Sequence, residues 1–318
     1  MHEGSIGRSD LFHARRLGHV NLFVSDLDRS LAFYNEVVGL EVVYVRPPVK
    51  AGFLSNGNSH HDIGLVQFVG RPNLPQVAGL NHLGIEVETE LGLVDSHRRA
   101  VAAGLPIVRT TDHYVARAVY LTDPDGNQVE IYADTVYKWR DTRYGVVNTP
   151  TTPWTPGTPK PSAEPLYQVD PDIQRVENAP FHPRRITHAV LAVTDYAETL
   201  SYYTRVVGLH LADGGPDAPF SRLAGSIGET VLALVPAGEG VAPGLLHFNL
   251  LVADETELER SVAEAKAKGI AVAEEIDTPH RRGAVIADPD GIRIQFYVDR
   301  PGVPVSGAEA GRLLPCLL

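Results

Sequence analysis

Most of this chain is written twice. HVNLFVSDLDRSLAFYNEVVGLEVV, starting at His19, aligns with HAVLAVTDYAETLSYYTRVVGLHLA, starting at His188. HLGIEVETELGLVDSHRRAVAAGLPIV from His82 aligns with HFNLLVADETELERSVAEAKAKGIAV from His247, and YLTDPDGNQVEIY aligns with IADPDGIRIQFY. The three matches keep their order at offsets of 169, 165 and 165 residues. A repeat of that length is a whole folded unit, so the fold must consist of two related halves.

Each half is double again. Strand-then-helix units begin at His19 and His82, and once more at His188 and His247. Residues 19–24 carry the β-branched and aromatic types of a strand. Asp26 or Ser25 caps the helix that follows, in which Leu27, Leu31, Tyr34 and Val38 recur at helical spacing before Gly39. The second helix covers 93–103, with Gly104 beyond its end. Short strands are expected at 40–46, 52–55, 62–69, 106–109, 117–121 and 128–132, with DPDG at 123–126 as the turn before the last. The order β-α-β-β-β occurs four times, an α+β class of βαβββ modules paired into two domains. The expected bounds are 1–137 for the first domain, 138–183 for a crossover and 184–318 for the second domain with a C-terminal extension. The crossover contains TPTTPWTPGTPKPSAEP, too rich in proline to enter a sheet or helix, and is read as extended, with Trp139, Trp154 and Tyr167 either clamping it onto a domain or roofing a cleft. The tail PGVPVSGAEAGRLLPCLL is read as a segment that packs in an oligomer.

Charge and cysteine content narrow the function. The 318 residues hold 28 basic and 39 acidic side chains, a formal charge of −11 that opposes a phosphate-binding surface, so nucleic acid is not an expected partner. The paired arginines at 15–16, 184–185 and 281–282 are isolated. No run of 18 uncharged apolar residues could span a bilayer, and the start MHEGSIGRSDLFHARR lacks a signal-peptide core, so the expected setting is cytoplasmic and off the membrane. Cys316 is the only cysteine, which excludes intrachain disulfides and thiolate metal clusters.

Three polar residues interrupt apolar strands. His19, His82 and Glu130 each sit in such a segment, and Val129 and Ile131 point away from the face that carries Glu130. A carboxylate on an inward face needs a cation or several donors. Two imidazoles and one carboxylate suit Fe(II), Mn(II), Zn(II) or Co(II), and the facial arrangement with open positions favours iron in an oxygenase. His61, His113 and Tyr120 fall in the same half and would supply an acid/base and a hydroxyl donor. Of His60 and His61, alternation lets only one face inward. The matching positions of the other half are His188, His247 and Gln295, without the anion.

With these motifs the chain resembles the vicinal oxygen chelate superfamily, and more closely the type I extradiol ring-cleaving dioxygenases, over about 17–135 and 186–300. The resemblance implies His19, His82 and Glu130 as ligands of Fe(II), with Mn(II) as the alternative ion. It assigns His61, in HHDIGLV, to acid/base work beside the bound oxygen, and His113 and Tyr120 to substrate orientation and hydrogen-bond donation. It implies a small aromatic diol and O2 as partners, ring opening beside the diol, and a homo-oligomer. One departure stands out: familiar two-domain members carry the metal in the C-terminal domain, whereas here that domain has Gln295 for the carboxylate and Val285 for the tyrosine. The N-terminal domain is therefore the expected catalytic one. Phe53, Phe68 and Tyr114 are candidate cleft residues, and Arg46, Lys50 and Arg117 candidate contacts for an anionic substituent. The rival readings are a glyoxalase-like metal-dependent isomerase or transferase and a non-catalytic small-molecule-binding protein.

Overall fold

The computed structural model describes residues 10–300. The first half runs β1 (Ala14–Val24), α1 (Leu27–Glu36), β2 (Glu41–Arg46), β3 (Ala51–Ser55) and β4 (Ile63–Gln67), then β5 (Gly79–Val87), α2 (Glu90–Ala102), β6 (Arg109–Asp112), β7 (Ala116–Thr122) and β8 (Gln128–Asp134). A connecting stretch holds α3 (Trp139–Thr142), β9 (Gly145–Val146) and β10 (Thr152–Pro153). The second half repeats the pattern as β11 (Arg185–Val193), α4 (Tyr196–Arg205), β12 (His210–Gly214), β13 (Ser221–Ala224) and β14 (Thr230–Pro236), then β15 (Gly244–Leu251), α5 (Glu255–Ala267), β16 (Glu274–Asp277), β17 (Arg281–Ala287) and β18 (Arg293–Asp299). The βαβββ unit thus occurs four times. The tail read as an oligomer contact, with Cys316 in it, lies outside the described residues.

Within each unit the first and last strands are parallel neighbours, β1 with β4 and β5 with β8. The units join through antiparallel β1 and β5, giving the order β10-β6-β7-β8-β5-β1-β4-β3-β2-β9. The second half reproduces it as β12-β13-β14-β11-β15-β18-β17-β16. Alternation along the strands sorts two faces. Val20, Leu22, Leu83, Ile85, Val129 and Ile131 pack with Tyr34, Leu93 and Val94 of the helices in one apolar core. The intervening His19, Asn21, His82, Glu86, Glu130 and Tyr132 are also buried, so the sheet must curl its polar face onto itself.

Two expectations need correction. The strand placed at 106–109 begins at Arg109: Leu105 and Ile107 are apolar because they pack on the core, and pairing starts where Arg109 meets Tyr120. The crossover is not wholly extended either. It adds β9 beside β2 and β10 beside β6, each on an outer edge where a proline such as Pro153 leaves no inner strand without a donor. Trp139 packs with Val43, Tyr44 and Phe53, Trp154 enters the main core, and Tyr167 lies under Arg15 with its hydroxyl donating to Glu88, so all three aromatic residues fasten the stretch to the first half.

The halves hold each other reciprocally. Tyr34 of α1 donates to Asp288 (3.2 Å) in the DPDG turn of the second half, and Tyr203 of α4 donates to Asp123 (2.9 Å) in the DPDG turn of the first. The Ser25 amide donates to Asp290 and the Thr194 amide to Asp125, each at 2.8 Å. Asp26 caps α1 by accepting from the Arg29 amide, which leaves Ser25 for this contact.

Candidate metal centre

A single transverse row builds the site. Cross-strand pairing aligns His19 on β1 with Gly84 on β5, Gly84 with Glu130 on β8, and Glu130 with Tyr120 on β7. Gly84 is the gap in that row: a Cβ there would overlap the His19 imidazole, so only glycine lets the ring lie across β5 toward Glu130. His82 reaches the same carboxylate from the adjacent row, opposite Asn21.

The three side chains converge on one point. His82 Nε2 lies 2.9 Å and His19 Nε2 3.1 Å from the same Glu130 oxygen, Oε2. Ligand atoms from the three residues all fall within 4.8 Å of one another, and all three residues are buried. His82 Nδ1 lies 2.8 Å from Asn81 Oδ1, an acceptor, so Nδ1 carries the proton and the Nε2 lone pair faces the carboxylate. His82 Nε2 makes no hydrogen bond, and two facing lone pairs at this distance repel unless a cation lies between them. Adjacent ligands on a metal with bonds of about 2.1 Å stand about 3 Å apart, which is the spacing found. The donor set therefore fits a divalent ion.

Electrostatics prepares the same state. Burial drives the His19 imidazole down to about 4 against the opposing pull of Glu130, leaving it neutral as a ligand must be. Burial alone would raise the Glu130 carboxyl, but His113 and His19 hold it well below the usual carboxylate range. Below the row, Arg15 and Arg16 both donate at 2.6 Å to Glu86, which is fully buried.

The other expected residues surround this point. His61 Nε2 donates to Asn21 Oδ1 (3.2 Å) and its ring lies 4.1 Å from that of His19. Its Nδ1 is buried without a hydrogen-bond partner, and burial pushes its pKa well down, so it presents a free lone pair. His113 Nε2 stands 3.3 Å from Glu130 Oε1 and 3.0 Å from the Tyr120 hydroxyl; with 24% of its side chain exposed it marks the solvent side. Burial, then the Glu130 charge, raises the Tyr120 phenol well above its ordinary value, although the Arg109 guanidinium lies over its ring at 3.6 Å.

His60 and His61 are both buried, against the expectation that one must turn out. Residues 56–62 form a bend before β4, where strand alternation does not apply. His60 lies against His19 and Tyr132, with Nδ1 3.4 Å from Asp134, and His19, His60 and His61 form a second group whose spacing could hold a metal. Phe53 meets His61 edge-on at 5.0 Å and stacks on Tyr44. Arg117 does not face the site: it occupies the opposite face of β7 from Ala116, Ala118 and Tyr120, paired with Glu90 and Asp112. Asn81, Asp134 and Arg109 were missed; adjacency to His82 was the available signal for Asn81, whereas Asp134 and Arg109 reach the site only through strand pairing.

In the second half the row reads His188, Asn249, Gln295, Val285. Asn249 fills the place of Gly84 and accepts from Gln295 Nε2 at 2.9 Å, so an amide pair stands where the first half leaves room. HFN against HLG was the sequence signal for this.

The model of the Glyoxalase/Bleomycin resistance protein/Dioxygenase superfamily matches residues 16–131 and 185–296. Catechol-2,3-dioxygenase from Bacillus subtilis (strain 168) is 28% identical over 295 residues, 89% of this chain and 97% of that protein. The 2,3-dioxygenase LapB from Pseudomonas sp. KL28 has a similar structure, with a TM-score of 0.66 at 19% identity over 93% of this chain and 98% of its own. The Mn(II)-bound glyoxalase from Novosphingobium aromaticivorans aligns with a TM-score of 0.64 at 17% identity, covering 90% of this chain and 82% of its own.

Proposed function

Since the chain belongs to the glyoxalase/bleomycin resistance protein/dioxygenase superfamily, we propose that its first half is an Fe(II) centre for extradiol cleavage of a catechol-type diol by O2. The observation that carries this reading is the convergence of His19, His82 and Glu130 on one point, with an uncommitted imidazole and a phenol beside it. His19, His82 and Glu130 would hold the ion, and Fe(II) in that place supplies a Lewis acid and redox centre where diol and O2 meet.

The protein side chains then have separate tasks. His61, neutral and with Nδ1 bare, takes a proton from the diol and returns it later. Tyr120, kept as a phenol, donates its hydroxyl proton in a hydrogen bond to a substrate oxygen. His113, touching both Tyr120 and Glu130, orients that hydroxyl and serves as acid at the solvent side. Phe53 and Tyr44 give the aromatic ring an apolar wall next to His61. The reading includes a homo-oligomer and a cytoplasmic setting; among the described residues no helix is long and apolar enough to cross a membrane.

The test is anaerobic reconstitution with Fe(II), then a panel of catechols with oxygen uptake and product absorbance recorded. Stoichiometric O2 consumption with a yellow ring-fission product is expected for at least one catechol, and none across the panel would refute the proposal. Turnover of another substrate class with Zn(II) or Ni(II) and no O2 would assign an isomerase or transferase instead. Diol affinity untouched by Glu130→Ala, with no stoichiometric metal, would assign a binding protein.

A further inference from the structure

The second half lacks two carboxylates that the first half buries. Strand registers superimpose the two: Arg16 opposite Glu86 recurs as Arg185 opposite Leu251, and Ala116 opposite Asp134 recurs as Arg281 opposite Asp299. The buried anion Glu86 has become an apolar residue, Glu130 has become Gln295, and a small apolar residue has become a buried guanidinium. The offset that carries Ile63 to Leu232 also carries His60 and His61 to Glu229 and Thr230.

A cavity of about 300 Å³ results, lined by Arg281, Arg185, Arg222, Glu229, Asp299, Thr230 and Tyr297 among others. In the first half the ring of His60 fills the corresponding space against Tyr132 and Asp134. In the second, Glu229 pairs with Arg185 and Thr230 is too short to close the gap. Arg281 is only 6% exposed, with its guanidinium 4.0 Å over the Tyr297 ring and Nε donating to Asp299 at 2.8 Å. Its Nη1 is buried and has no hydrogen-bond partner. A buried donor without a partner calls for an acceptor, and this one borders the cavity.

We propose that this cavity binds a small carboxylate, with Arg281 as anchor and the Tyr297 ring as apolar wall. A planar guanidinium presents donors that match carboxylate oxygens; Glu229 already occupies the fork of Arg185, which leaves the bare Nη1 of Arg281 as the donor for a ligand. The volume suits a ligand of one ring or less, at the lower end of binding pockets. The site is separate from the metal centre and holds whichever reaction that centre performs.

Calorimetric titration of the intact protein with benzoate, acetate and inorganic phosphate tests it. Saturable binding of benzoate or acetate is expected. Arg281→Met should weaken it at least about tenfold, and so should Thr230→Leu, which refills the cavity without touching a charge. Glu130→Ala, in the other half, should leave the affinity unchanged. Carboxylate binding that both second-half variants leave intact, or that Glu130→Ala abolishes, overturns the proposal. So does saturation by phosphate alone, or by none of the three. Thermal melts identify a variant that fails to fold, and Thr230→Leu then carries the test.

Discussion

At the scale of single residues, Gly84 decides as much as the three candidate ligands. Gly84→Ala places a methyl group on the His19 ring, and we expect bound metal to fall more than about tenfold while the far-ultraviolet circular dichroism is unchanged. Metal content like the wild type's would show that His19 needs no such space. Burial also makes the imidazoles sensitive to acid. His19 titrates at about 4 in the folded protein against 6.5 for its ordinary value, so between these the unfolded chain binds more protons. The contribution is fully present above about 6.5, and stability of the metal-free protein falls as pH drops toward about 4; His61 acts in the same direction. Urea midpoints measured across that window should decline more steeply for the wild type than for His19→Gln. Parallel lines would contradict the assignment.

Between elements, the Arg16–Glu86 contact joins β1 to β5 beside the site. Burial opposes both charges, but each holds the other ionised. Arg16→Met strands the carboxylate with Arg15 alone and should cost about 3 kcal/mol, while Arg16→Met with Glu86→Leu should recover most of it, read from chemical denaturation. Strand and helix identity were legible in the sequence because alternation and helical spacing are local: His19, His82 and Glu130 could be placed on inward faces before any pairing was known. What could not be read was the row they share. It depends on non-local register, with irregularities between Leu17 and His19 and between Asn21 and Leu22. His60 was misjudged for a related reason, since it lies in a bend where no periodicity constrains a side chain. The amide of Asn249 could have been suspected, because the duplication places it against a glycine.

At the scale of the whole molecule, duplication gives two halves that cap each other's turns, and one apolar core includes residues of both, from Phe12 and Leu22 to Leu191 and Phe296. A single cooperative unfolding transition is therefore expected by calorimetry, and two resolved transitions would contradict it. Tyr34→Phe and Tyr203→Phe each remove the hydroxyl donor of a buried aspartate and should destabilise by similar amounts, about 1–2 kcal/mol. The asymmetry of the halves is the central claim: one presents a candidate metal triad, while its copy has an amide pair in that place. The most direct measurement is iron per chain after anaerobic loading and desalting, for the wild type, Glu130→Ala and His247→Ala. The account predicts one iron, close to none, and one iron, respectively. Two irons in the wild type, iron retained by Glu130→Ala, or iron lost from His247→Ala would contradict it.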